Sequence, residues 1–95
     1  MSAEPVHGVR FPLGRTVITG GALDALDSEE VRVAMGRHVR GDWGDLCEED
    51  RQANDAALCT GTRLLSAYHT EDGRKFWIIT EADRSATTVL LPEEY

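Results

Sequence analysis

The sequence predicts a single α+β domain: a short N-terminal strand, two to three helices, then a three-stranded antiparallel β-meander packed on the helices. Three observations predict it. At Gly61 the spacing of apolar residues changes from a period near 3.6 to a period of 2. Past that point an Asp-Gly pair, Asp72-Gly73, divides two β-rich runs and is a strong hairpin signal. A chain of 95 residues, 41% hydrophobic and 28% charged, has enough apolar material for one modest core but too little length for separate cofactor and substrate domains.

Residues 1–8 mix Pro, Gly and small polar residues without periodicity and read as a disordered end, leaving residues 9–95 as the domain. Arg15-Thr16-Val17-Ile18-Thr19 is β-branched enough for a short strand, which Gly20-Gly21 stops. Ala22, Leu23 and Leu26 make one apolar helical turn. Asp27 or Ser28 then opens a second helix, with Glu29 and Glu30 in the first turn where the helix dipole favours anions. Its apolar stripe is Val31, Ala34, Met35, His38 and Val39, and Gly41 ends it. A third helix is expected from Leu46 to Leu58, with Asp45 as N-cap and Glu48 as its capping-box partner. The strands follow as Thr62–Thr70, Lys75–Thr80 and Ala86–Leu91. Both faces of this meander carry apolar residues, so one face packs on the helices and the other is free for a partner or a homodimer.

The formal net charge of −7 is unevenly distributed. Residues 1–40 balance at zero, residues 41–60 hold six acids against Arg51 alone, and residues 61–95 sum to −2. An acidic middle segment repels the phosphates that a nucleic-acid binder must neutralise, so direct DNA or RNA binding is not expected. A protein partner with a basic surface fits it better. The N-terminus lacks a basic and then apolar leader, and no apolar run approaches the ~20 residues of a membrane span, which points to a cytoplasmic protein. Cys47 and Cys59, about 18 Å apart along the expected helix, cannot pair with each other there and are read as small, at least half-buried apolar residues.

The densest charge feature is Asp42-Trp-Gly-Asp45-Leu-Cys-Glu48-Glu49-Asp50. It lacks the alternating ligands and distal Glu of a calcium loop, and neither it nor the cysteines make a metal site, so no metal and no cofactor is expected. A capped helix start with a solvated acidic face explains the run, as does a protein-binding patch of Asp42, Asp45, Glu48, Glu49 and Asp50. Trp43, in the turn, either plugs the gap between helices or anchors a partner. His38, His69, Arg74 and Arg84 are the residues that acid–base and phosphate chemistry would use. No phosphate loop, nucleophile elbow or metal-binding signature accompanies them.

Two stretches carry a resemblance: residues 38–45, His-Val-Arg-Gly-Asp-Trp-Gly-Asp, and the strand region from Leu64-Leu-Ser-Ala-Tyr68 through Phe76-Trp-Ile-Ile-Thr80 to Leu91-Pro-Glu-Glu-Tyr95. Over most of residues 12–95 the chain resembles a family of small uncharacterised bacterial proteins of plasmids, integrative elements and phages, sometimes labelled "type I restriction endonuclease subunit M". The chain has no methyltransferase motif, so what the resemblance implies is a mobile-element setting. In topology it is more loosely similar to RelE/ParE-type toxins, whose sheets are basic where this chain is acidic. The leading expectation is a non-enzymatic, acidic interaction protein of a mobile genetic element, inhibiting a host defence or nucleic-acid-processing protein. The alternative is a RelE/ParE-like ribonuclease, or an inactive relative of one, using His38, His69, Arg74 and Arg84.

Overall fold

Four β-branched or aromatic runs form one sheet in the computed structural model, which describes residues 8–95. The expected disorder of residues 1–8 falls on residues 1–7, outside the described part, and Gly8 sits in a turn. Strands β1 (Arg15–Ile18), β2 (Leu64–His69), β3 (Lys75–Thr80) and β4 (Ala86–Leu90) lie in the order β1-β4-β3-β2. The meander is as expected, with Ser66 opposite Ile78 and Ile78 opposite Val89, both antiparallel. The sheet is nevertheless four-stranded and mixed, because β1 joins β4 in parallel, pairing Thr16 with Thr87 and Ile18 with Val89. Alternation along β4 marks it as a strand without saying how many neighbours it has, and β1 supplies the second one.

Helices α1 (Gly20–Ala25) and α2 (Ser28–Val39) cover one face. Thr19 caps α1 by accepting from the Ala22 N–H, and Asp27 caps α2 by accepting from the Glu30 N–H. Ala22, Leu26 and Ala34 meet Tyr68, Phe76, Ile78 and Val89, with Val31 and Met35 half-buried against them. The helix-facing parity of β2 is that of Leu64, Ser66 and Tyr68, all buried, while Leu65 lies half-buried on the other side. Of the apolar turn Ala22, Leu23 and Leu26, the first and last are buried and Leu23 is 64% exposed.

Helix α3 (Glu48–Thr60) begins two residues later than expected. Cys47 occupies the cap without a side-chain bond, so Cys47 is not within the helix and Asp45 does not cap it. The cause is the edge of β2. The Ala67 N–H donates to the Trp43 carbonyl and the Asp45 N–H to the Ala67 carbonyl, which draws residues 43–45 out along the strand as a one-residue bridge. Gly44 permits this: its φ is +76°, and a Cβ there would lie 2.0 Å from the Ala67 carbonyl oxygen. Both cysteines are free and exposed, correcting the expectation of burial. Among the described residues no helix is long and apolar enough to cross a membrane.

Candidate functional site: an acidic turn on a rigid mount

The acidic segment divides into residues that build a mount and residues that the mount displays. Trp43 belongs to the first group. Its ring is 2% exposed, stacks on Phe11 at 6.2 Å, and donates Nε1–H to Asp55 Oδ1 at 3.0 Å. It is therefore the plug between α2, α3 and the sheet, and a partner cannot reach it; the reading of Trp43 as an interface anchor is corrected by its burial. Asp42 is also committed. It takes a two-pronged bond from Arg37 at 2.8 and 3.2 Å and one from the Gly44 N–H, and the Arg37 bonds hold its carboxyl below the usual carboxylate range. Asp45 bonds His69 Nδ1 at 2.7 Å at the outer end of β2, an ion pair when the ring is protonated.

Three residues that sequence reasoning did not single out tie the mount together. Arg51 reaches back from α3 to the Gly44 carbonyl at 2.9 Å. Asp55 holds the indole. Asn54 uses its whole amide on one residue, donating to the Leu65 carbonyl at 2.6 Å and accepting from the Leu65 N–H at 3.3 Å, so a side chain substitutes for a neighbouring strand. An asparagine in the middle of a helix carries no sign of this in sequence, since its partner is backbone 11 positions away.

On this mount Glu48, Glu49 and Asp50 form the first turn of α3 and are exposed. Among the described residues none of them makes an ion pair, and only Glu48 has a side-chain partner, Gln52 at 3.2 Å. The helix dipole favours anions at that end, which stabilises the cluster without neutralising it. Among the described residues no group of three or more His, Cys, Asp or Glu could hold a metal ion.

The four residues of catalytic type do not converge. His38 is fully buried and closed in a chain of hydrogen bonds: Nδ1 to Ser66 Oγ at 2.6 Å, Nε2 to Thr80 Oγ1 at 2.9 Å, Thr80 to Thr87 at 2.7 Å, and Thr87 to the Leu13 carbonyl at 2.7 Å. The chain fixes its own protons. A carbonyl only accepts, so Thr87 donates to Leu13, Thr80 donates to Thr87, and the imidazole donates Nε2–H to Thr80. Burial lowers the pKa of the ring from 6.5 to about 4, so at neutral pH the ring is uncharged and its bare Nδ1 accepts from the Ser66 hydroxyl. His69 lies at the end of β2, in a shallow cleft with Glu29, Glu30, Arg37 and Tyr68. The Tyr68 hydroxyl beside it is spent on the Asp42 carbonyl, and burial pushes its pKa up to about 12. Arg74 follows the β2–β3 turn among Asp72, Lys75 and Glu93. Arg84 is at the opposite end of β3, where it donates to the carbonyls of Ala57, Thr62, Glu81 and Ala82 and closes the C-terminus of α3.

No protein-family model, no curated protein and no solved structure matches the chain.

Proposed function

We propose that this chain is a non-enzymatic binding domain that offers the first turn of α3 to a basic protein surface. The observation that supports this is the division of labour in residues 42–55: Asp42, Trp43 and Asp55 are locked, while Glu48, Glu49 and Asp50 project from a backbone already ordered. Charges held on a rigid mount lose little conformational entropy on binding, and they steer a basic partner before contact. A groove built for nucleic acid offers the Lys and Arg spacing that such a turn would answer. The resemblance to proteins of plasmids and phages gives that groove an owner, a cytoplasmic host defence or nucleic-acid-processing protein that the domain would inhibit.

The test is capture from a host lysate on immobilised chain, wild type beside Glu48→Lys/Glu49→Lys. Basic nucleic-acid-handling proteins should be retained by the wild type, released as salt rises, and lost on the double variant. Equal retention by both would remove the acidic turn from the reading. Cleavage of RNA by the purified chain, abolished in His69→Ala, would replace the binding reading with the ribonuclease one.

A further inference from the structure

The two outer edges of the sheet are treated differently. On β2 the outward backbone groups of Leu65 are taken by Asn54 and those of Ala67 by Trp43 and Asp45, so no strand can add there. On β1 the N–H groups of Arg15 and of Thr19 just beyond it point inward, to Ser85 and Val89. Alternation then turns the backbone groups of Thr16 and Ile18 outward, and among the described residues nothing takes them. Beside them lies a shallow apolar groove of about 190 Å³ lined by Thr16, Val17, Ile18, Val31, Met35 and Val89, with Val17 41% exposed.

We propose that this edge seats a second copy of the chain, the two β1 strands running antiparallel about a two-fold axis at Val17. That register pairs Thr16 with Ile18 of the second copy, satisfying the outward groups of both, and sets Arg15 opposite Thr19 of the second copy. Charge selects a copy over an arbitrary strand. Arg15 is exposed and has no ion pair among the described residues. Thr19 donates its hydroxyl to Glu94 Oε1 at 2.5 Å, and Glu94 also accepts from the Gly21 N–H at 3.1 Å, so a fixed carboxylate waits at the far end of the same strand. An arginine that would deter other strands thus meets an anion in a second copy, and the two-fold makes the contact twice. The product is a continuous eight-stranded sheet spanning ~34 Å, with an α3 turn beyond each end and both acidic surfaces available to a partner.

Val17 turns its own backbone groups inward, so Val17 and its symmetry mate form a non-hydrogen-bonded pair with Cα atoms about 4.5 Å apart, within disulfide range. In a Cys47→Ala/Cys59→Ala background, Val17→Cys should oxidise to a covalent dimer in high yield, and Leu23→Cys, at a more exposed position on α1, should not. Sedimentation of the wild type should show a dimer that Val17→Lys converts to a folded monomer, because two lysines would then face each other across the axis, and the melting temperature should rise with protein concentration for the wild type alone. Arg15→Gln and Glu94→Gln should each weaken the dimer about threefold to tenfold and, combined, should cost no more than one of them. A wild type that stays monomeric to several hundred micromolar, a dimer indifferent to Val17→Lys, or equal cross-linking through both engineered cysteines would each overturn the proposal.

Discussion

Two polar regions lie on either side of Trp43, and they are built on opposite terms. On one side, the imidazole of His38 packs against the indole at 5.8 Å and every proton of the His38–Ser66–Thr80–Thr87 chain has an acceptor. On the other, the α3 turn leaves the charges of Glu48, Glu49 and Asp50 to solvent. The first region holds the residue types associated with catalysis and spends them on architecture, while the second holds ordinary surface residues and keeps them free. Residue type alone does not separate a working group from a structural one; whether its hydrogen-bonding capacity is already used does.

The largest effect is expected at the tryptophan between the two regions. Trp43→Ala removes a buried ring that Phe11, His38 and Asp55 all contact, and the expected loss is about 3–5 kcal/mol, seen as a large fall in melting temperature. A melting temperature within a degree or two of wild type would mean that the indole does not hold the two regions together.

A smaller effect, with a definite sign, comes from pH. The unfolded chain protonates His38 near 6.5 and the folded chain only near 4, so between those values the unfolded state holds the extra proton. The contribution of neutral His38 is therefore complete above pH 6.5 and is lost as pH falls toward 4, by about 3 kcal/mol in all. Denaturant midpoints should fall across that window for the wild type and should fall much less for His38→Gln, whose amide can still donate toward Thr80 without titrating. Equal slopes in the two proteins would show that the ring is not held neutral. Thr87→Val tests the same chain at its far end. It leaves the Leu13 carbonyl without its donor and the Thr80 hydroxyl proton without its acceptor, and about 1–3 kcal/mol should be lost.

Much of the fold was legible because it depends on local pattern. The switch of period at Gly61, the Asp72-Gly73 turn and the stripe from Val31 to Val39 each act within a few residues, and each element stands where the pattern put it. The parts that were not legible depend on distant partners. Parallel pairing of β1 with β4 joins residues about 70 positions apart, and nothing in Arg15–Ile18 specifies that neighbour. The late start of α3 follows from Ala67 holding residues 43–45, so a good local capping signal at Asp45 lost to two backbone bonds from another strand. In the candidate site the exposed acids could be read directly as charge density. The mount could not, since the roles of Asn54, Arg51 and Asp55 are set by what lies opposite them.

The smallest stability effect is expected where the functional effect is largest. Glu48→Lys/Glu49→Lys reverses two exposed side chains that make no ion pair among the described residues, so the melting temperature should change by an amount equivalent to about 1 kcal/mol at most. Some loss is expected from placing cations at the positive end of the α3 dipole, and it falls within that figure because the sites are exposed. Association with a basic partner should respond differently. Four units of charge are exchanged on one turn, so the on-rate should fall several-fold at low ionic strength and converge with that of the wild type at high salt, where exposed charges are screened within a few ångströms. Stopped-flow association across a salt series, run beside thermal melts of the same preparations, separates the two quantities. An on-rate that matches wild type at every salt concentration would show that the turn does not steer its partner, and a stability loss well above about 1 kcal/mol would show that these carboxylates belong to the mount and not to the surface it displays.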